Sequence, residues 1–193
     1  MSIDRLRICV AEFTQLVQTE RNEDALIEAG RGILGRLIAQ DDWLPDFAAE
    51  ADPVRYRQYL LHCDPLERFS IVSFVWGPGQ TTPIHNHTVW GLVGVLRGEE
   101  RARRFEPEAN GRLEGREWTT MRPGDIDVVS PSHGDIHQVS NGLEDRPSIS
   151  IHVYGANIGA VARNVFDPAT AEAKLFVSGY SNAVVPNLWY RAS

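Results

Sequence analysis

Between residues 4 and 20 the apolar side chains of Leu6, Val10, Phe13, Leu16 and Val17 recur at intervals that place them on one face of an α-helix. A second run of the same texture extends from about Asn22 to Gln40, where Asp41-Asp42 and then Pro45 stop it. From Val54 onward the period changes to short β-branched and aromatic runs separated by Gly, Pro and charged turns. Strands are predicted at 55–61, 67–76, 90–97, 100–105, 115–120, 125–130, 135–140 and 147–154, with turns at Gly77-Pro78-Gly79 and Arg122-Pro123-Gly124. Strands so closely spaced, with no helical pattern between them, predict an antiparallel barrel or jelly roll. The expected organisation is one structural domain, with a helical lead-in over 1–50 packed on a barrel and tail over 51–193. The tail from Pro168 to Ser193 is expected to begin as a short helix and to fold its apolar end back onto the barrel.

Two stretches of this barrel carry polar residues in patterns that demand a reason. His85 and His87 stand two apart on an extended segment, so both imidazoles point to one side and can reach one ion. In the strand 147–154, Ser148, Ser150, His152 and Tyr154 fall on one face and Ile149, Ile151 and Val153 on the other. Polar groups facing the inside of a small barrel must be hydrogen-bonded or cost a few kcal/mol each, so this row is expected to support the metal site.

Composition removes several other functions. The 193 residues carry a net charge of -7 with 42% apolar and 23% charged side chains, an ordinary globular balance that argues against nucleic acid as a partner. Arg97, Arg101, Arg103 and Arg104, interrupted by Glu99 and Glu100, read as a solvated face. Cys9 and Cys63 are too far apart and too few for a disulfide framework. The charged N-terminus and the lack of a long apolar run point to a cytoplasmic protein with no membrane partner.

The two histidine-bearing blocks resemble the paired motifs of the cupin superfamily. The first runs from Gly79 through His85 and His87 to Gly98; the second runs from Gly124 through Pro131 to His137 and Asn141. The resemblance implies a cupin (jelly-roll type) β-barrel, mainly β, with an N-terminal helical extension, and it makes His137 the third metal ligand. Gly91 stands where such motifs often have Glu, and one extra residue flanks Pro131 on each side, so a site of three neutral histidines is expected. His133 is the rival third ligand, but it lies in a predicted turn and lacks the Asn four residues on. His62 reads as an edge-strand residue, and Trp76 and Trp90 as core aromatics.

Over roughly residues 55 to 165 the likeness narrows to the thiol dioxygenases of the cysteine dioxygenase type. It implies a mononuclear Fe(II) on His85, His87 and His137 and the addition of both atoms of O2 to a small thiol, giving a sulfinic acid. It also implies Ser150, His152 and Tyr154 as a catalytic row beside the iron. Imidazole alone does not choose between Zn, Cu, Ni and Fe, so iron comes from the resemblance. Two departures bear on substrate. Gln58 stands where the cysteine enzymes have a carboxylate-binding Arg, and Thr88-Val89-Trp90-Gly91-Leu92 lacks the cysteine that crosslinks to tyrosine. Both are features of the bacterial 3-mercaptopropionate dioxygenase branch, which makes 3-mercaptopropionate the first expected substrate and L-cysteine the second. Arg163, nine residues after Tyr154, is then the implied carboxylate-binding residue, with Gln58 beside the substrate. The competing expectations are a cupin isomerase or hydrolase using Zn or Mn on the same histidines, and a non-enzymatic metal-binding cupin sensor.

Overall fold

The computed structural model of the protein describes residues 2–108 and 111–190. Two helices lead, α1 (Asp4–Thr19) and α2 (Glu23–Ile38), followed by a 3-10 turn at Asp46–Ala49. Asn22 caps α2 by accepting the Ala25 amide at 3.0 Å, and Glu23 and Asp24 suit the positive end of the helix. No described helix is long and apolar enough to cross a membrane.

Twelve strands follow among the described residues. They are β1 (Arg57–Cys63), β2 (Ser70–Trp76), β3 (Ile84–His85), β4 (Gly91–Arg97), β5 (Glu100–Pro107) and β6 (Leu113–Gly115), then β7 (Thr119–Met121), β8 (Ile126–Val129), β9 (His137–Asn141), β10 (Ser148–Tyr154), β11 (Arg163–Phe166) and β12 (Ala173–Phe176). One sheet runs β1-β2-β10-β4-β8; the other runs β12-β11-β3-β9-β5-β6, with β7 also on β5. All their pairings are antiparallel, and strands distant in sequence lie side by side, as β2 does with β10 and β3 with β9. The protein is thus mainly β, a cupin barrel of the jelly-roll type with the expected helical extension.

The core has two parts. Phe13 of α1 and Leu34 and Leu37 of α2 pack with Trp43 against Ile71, Leu92 and Ile151 on the outer face of the first sheet. Val72, Phe74, Trp76, Val95, Val139 and Tyr154 fill the barrel interior. Every residue of β2 and β10 is buried, because helices cover one side and the second sheet the other. That is why β2 reads as a mainly apolar run, broken by Ser70 and Ser73, rather than an alternating one. Gly94 lets α2 approach β4, since a Cβ there would lie 2.8 Å from the Ile38 Cδ1.

Several expectations need correction. The tail does not begin as a helix: the Asp167 carboxylate takes the amides of Ala169 and Thr170, and Ala171 at φ 58° turns the chain into the β11–β12 hairpin. Of its apolar end, Leu188 returns to the core while Val184, Val185 and Trp189 stay exposed; the last three residues of that stretch lie outside the described residues. The strand predicted at 115–120 is two strands, β6 and β7, because after Arg116, whose amide still reaches the Arg104 carbonyl, residues 117–118 leave the ladder with β5. The arginine cluster is not simply solvated, since Arg97 pairs with Asp41 and Arg104 with Asp127. Cys9 and Cys63 are both free thiols, and His62 lies on edge strand β1 against the Phe69 ring.

Candidate active site

The histidines meet because three short strands cross the middle of the second sheet. His85 pairs in register with His137 of β9 on one side and with Val165 of β11 on the other. Asn86 takes the Asn164 amide on its side chain at 2.8 Å and gives its own amide to the Asn164 carbonyl at 3.1 Å. That clamp holds the segment extended, so His87 follows His85 onto the inner side. Ring centroids of the three histidines are 4.9, 4.7 and 4.8 Å apart, nearly an equilateral triangle. One potential ligand atom from each lies within 4.8 Å of the others.

Hydrogen bonds prepare two of these rings as ligands. His85 Nδ1 lies 3.0 Å from the Pro83 carbonyl, so Nδ1 carries the proton and Nε2 keeps its lone pair. His87 Nδ1 lies 2.9 Å from Asp135 Oδ1, which fixes the same tautomer. Asp135 is itself held by the backbone amides of His87 and Thr88 at 2.9 and 2.8 Å. The His87 Nε2 atom, left with its lone pair by the Asp135 contact, is buried with no protein partner, a costly arrangement that a bound cation would relieve; His137 Nδ1 is also buried without a partner. Burial pushes His85 down to about 4, and burial with the neighbouring histidines pushes His87 and His137 well below the ordinary range. All three are neutral at physiological pH, the state a metal requires. The donor set therefore fits a mononuclear metal such as Fe(II).

No fourth protein ligand joins them among the described residues. Gly91, in the place where a carboxylate could stand, faces Tyr154 across the β4–β10 ladder, and a Cβ there would lie 2.7 Å from the Tyr154 ring. No cysteine stands at this position to bond to the ring. His133 is remote in function: its Nε2 lies 2.7 Å from Asp24 of α2, and its side chain is half-exposed. Asn141 makes a structural knot, donating to the Trp76 and Arg146 carbonyls at 3.0 Å each.

The row on β10 is continuous. Ser150 Oγ lies 2.7 Å from His152 Nε2, and His152 Nδ1 lies 2.7 Å from the Tyr154 hydroxyl. Phe74 stacks on the His152 ring at 4.1 Å, and the Tyr154 ring stacks on His87 at 5.4 Å. Burial pushes His152 down to about 3 and pushes the Tyr154 hydroxyl far up, so both stay neutral.

His85, His137, His152, Tyr154, Arg163 and Gln58 all line one cavity of about 190 Å³. At ~30 Å³ per water this holds about six waters, room for a molecule of few atoms. A larger cleft of about 630 Å³ between α2 and β5, β7 and β8 lacks any such histidine group. Arg163 is buried at 4% exposure and lies over the Phe176 ring at 4.7 Å, with one nitrogen donating to Ser178 Oγ at 2.6 Å. Its Nε is buried and unpartnered, and no carboxylate pairs with it among the described residues. Gln58 donates to the Gly179 carbonyl at 2.8 Å, which ties the C-terminal segment over the cavity.

Sequence reasoning did not assign Asp135, the cavity aromatics Tyr56 and Phe176, or Ser178. Asp135 stands two residues before His137, the one signal that pointed to it. Trp76, expected in the core, is buried but also lines the cavity and donates to Ser150 Oγ at 3.3 Å.

Among solved structures, the chain is similar to the TT1209 protein of Thermus thermophilus, with 20% identity over 58% of this chain and 96% of that one and a TM-score of 0.45. It is also similar to a Klebsiella pneumoniae protein with a double-stranded β-helix domain (19% identity, 70% of this chain, 97% of that one, TM-score 0.45). A third is an RmlC-like cupin protein from Desulfovibrio desulfuricans (21% identity, 60% of this chain, 95% of that one, TM-score 0.43). The family model described as Cysteine dioxygenase type I matches residues 37–165, more than half of the chain and the span that holds all three histidines, the β10 row and Arg163. The chain belongs to the cysteine dioxygenase type I family.

Proposed function

We propose that the protein is an Fe(II)-dependent thiol dioxygenase that converts a small carboxylate thiol and O2 to the sulfinic acid, with 3-mercaptopropionate preferred over L-cysteine. The observation that carries this reading is Arg163, a buried cation without a carboxylate partner among the described residues, in the same small cavity as His85 and His137 of the neutral histidine triad. A buried guanidinium left unpaired is costly, and a substrate carboxylate would relieve it with charge-assisted hydrogen bonds.

His85, His87 and His137 would hold the iron, which when bound supplies a Lewis-acidic site where thiolate sulfur and dioxygen meet. Because the three imidazoles are neutral, the site keeps the full charge of the cation and favours the thiol as its thiolate. Arg163 would bind the carboxylate and so fix the sulfur at one end of the cavity. Tyr154, neutral and positioned by His152, would donate a hydrogen bond to the reacting oxygen. The balance is simple: R–SH and O2 give R–SO2H, with both oxygen atoms on sulfur. Gln58 offers no charge, and its β1 neighbour Arg57 is paired with Asp52 and does not line the cavity, so β1 does not duplicate Arg163. Holding the substrate through carboxylate and sulfur alone suits 3-mercaptopropionate, which lacks an amino group.

The test is oxygen consumption by the Fe(II)-loaded chain with 3-mercaptopropionate, L-cysteine and cysteamine. Arg163→Ala should lower kcat/KM for the two carboxylate thiols by about 10- to 150-fold, the loss of a charged hydrogen bond of about 1.5–3 kcal/mol. Cysteamine, without a carboxylate, should change much less. Equal losses would make Arg163 structural, and a larger kcat/KM for cysteine than for 3-mercaptopropionate would reverse the substrate order.

A further inference from the structure

One buried ionisable group in the barrel has no place in the reaction above. Glu100 begins β5 and is fully buried. Neither carboxyl oxygen makes a hydrogen bond of good geometry, and no cationic side chain pairs with it among the described residues. Ser150 and Ser148 of β10 and Trp76 of β2 face it and favour its ionised form, but burial dominates and pushes the carboxyl up to about 8. The other packed elements bring no charge. Asn141 of β9 and Met121 of β7 are its register neighbours, the first amide being spent on carbonyls, and adjacent Glu99 pairs outward with Arg122. His152, the next titratable group along β10, is held neutral by burial.

We propose that Glu100 is the inner end of the Ser150–His152–Tyr154 row, and that the place of its proton sets the direction in which every hydrogen bond of that row runs. The inference rests on the reading of Tyr154 as a hydrogen-bond donor to the reacting oxygen. Neutral His152 has one donor and one acceptor nitrogen, and Ser150 has a single proton to give. Trp76 Nε1 already donates to Ser150 Oγ. When Glu100 is a neutral acid, its proton goes to Ser150 Oγ and the serine proton goes to His152 Nε2. His152 Nδ1–H then donates to the Tyr154 oxygen, which leaves the phenol hydrogen free for the cavity. When Glu100 is ionised, the carboxylate becomes the strongest acceptor in reach and takes the serine proton. His152 must then donate from Nε2 and accept at Nδ1, so the Tyr154 hydrogen turns inward and only oxygen lone pairs face the substrate. Glu100 is therefore a positioning residue, acting on the chemistry through three others.

The test is nitrogen NMR of the full chain with 15N-labelled histidine, loaded with diamagnetic zinc so that the three ligand histidines do not titrate. His152 is assigned by the resonance lost in His152→Gln. Between about two pH units below and about two above the Glu100 value, the His152 proton should move from Nδ1 to Nε2. In Glu100→Gln the amide still donates to Ser150 but cannot ionise, so the proton should stay on Nδ1 throughout. An unchanged His152 tautomer in the wild type overturns the proposal, as does the same change in Glu100→Gln; if that variant fails to fold, the wild-type measurement decides alone. With iron, activity of the wild type should fall on the alkaline side as Glu100 ionises, and Glu100→Gln should lose that fall. Because the tautomer is read without turnover, its change supports the proposal whether or not any thiol is oxidised, and absent turnover would count only against the dioxygenase reading.

Discussion

Ile149, Ile151 and Val153 leave one face of β10 and enter the core shared with α1 and α2, whereas Ser148, Ser150, His152 and Tyr154 leave the other face and enter the barrel. Both faces are buried, yet they are stabilised by different physics. On the outer face, apolar area is removed from water at about 25 cal/mol per Å², without direction and with tolerance for exchange. On the inner face each polar group must find a partner of correct geometry or cost about 1–3 kcal/mol. The inner layer gathers four buried histidines, Glu100 and Arg163, and several of their atoms have no protein partner. A barrel selected only for stability would fill that space as the outer face is filled. The contrast locates the chemistry before any ligand is considered.

The sharpest way to break this contrast is to empty the inner face of its ligands. His85→Ala, His87→Ala or His137→Ala should each remove most bound iron and all turnover, while His133→Ala, whose partner is Asp24, should keep both. Metal analysis of the four purified variants checks this, and an empty His133→Ala would mean that the ligand set is wrong. Next in size, Tyr154→Phe removes one hydroxyl and keeps the ring stacked on His87, so iron content and folding should hold while kcat falls roughly 10- to 10⁴-fold. Full activity would refute the donor role, and intact-mass analysis of the wild type should find no Cys–Tyr crosslink, since Gly91 is what faces the ring.

Asp135→Asn sharpens the contrast further, because it alters the support of a ligand rather than a ligand. The amide cannot reproduce the carboxylate that takes both the His87 ring proton and two backbone amides, so metal affinity should fall about 10- to 100-fold, as read by competition with a chelator. A pH titration of the metal-free chain separates the faces by charge. His152 has an ordinary value of 6.5 and is pushed down to about 3, so the unfolded chain binds its proton first. Its contribution to stability is present above 6.5 and is lost as pH falls, by up to about 1.4 kcal/mol per pH unit. Urea midpoints should therefore fall more steeply with acid in the wild type than in His152→Gln, and equal slopes would refute the neutral buried state.

Much of this contrast was legible in the sequence, for reasons that the two faces share. Period-two alternation over 147–154 separated the inner residues from the outer ones, and His85-x-His87 declared a common side. Helical periodicity gave α1 and α2 to within two residues at each end. What escaped were elements without a period: β3, β11 and β12 are two to four residues long and exist through tertiary pairing. Asp135 and Glu100 escaped because a carboxylate in a charged or turn-like stretch gives no sign of being buried. The C-terminal wall of the cavity was hidden for a related reason, since Asp167 and Ala171 set a hairpin by side-chain capping and a positive φ rather than by pattern.

The smallest expected effect is the most direct test of whether the two faces are independent. Ile151 is fully buried in the outer core, and Ile151→Val removes one methylene there at a cost of about 0.5–1.5 kcal/mol, measurable as a shift in urea midpoint. Its backbone is held on both sides, opposite Ser73 of β2 and Gly94 of β4, so the strand should not move enough to disturb the 2.7 Å contacts of Ser150, His152 and Tyr154. Iron content and kcat/KM should stay at wild-type values. Ser150→Ala on the opposite face is the matched comparison: it deletes a single atom, yet it leaves His152 Nε2 without its partner and breaks the row. Turnover should then fall far more than stability, the reverse of Ile151→Val. If Ile151→Val also lowers kcat/KM, packing on the helical side sets the geometry of the inner row, and the two faces of β10 form one mechanical unit.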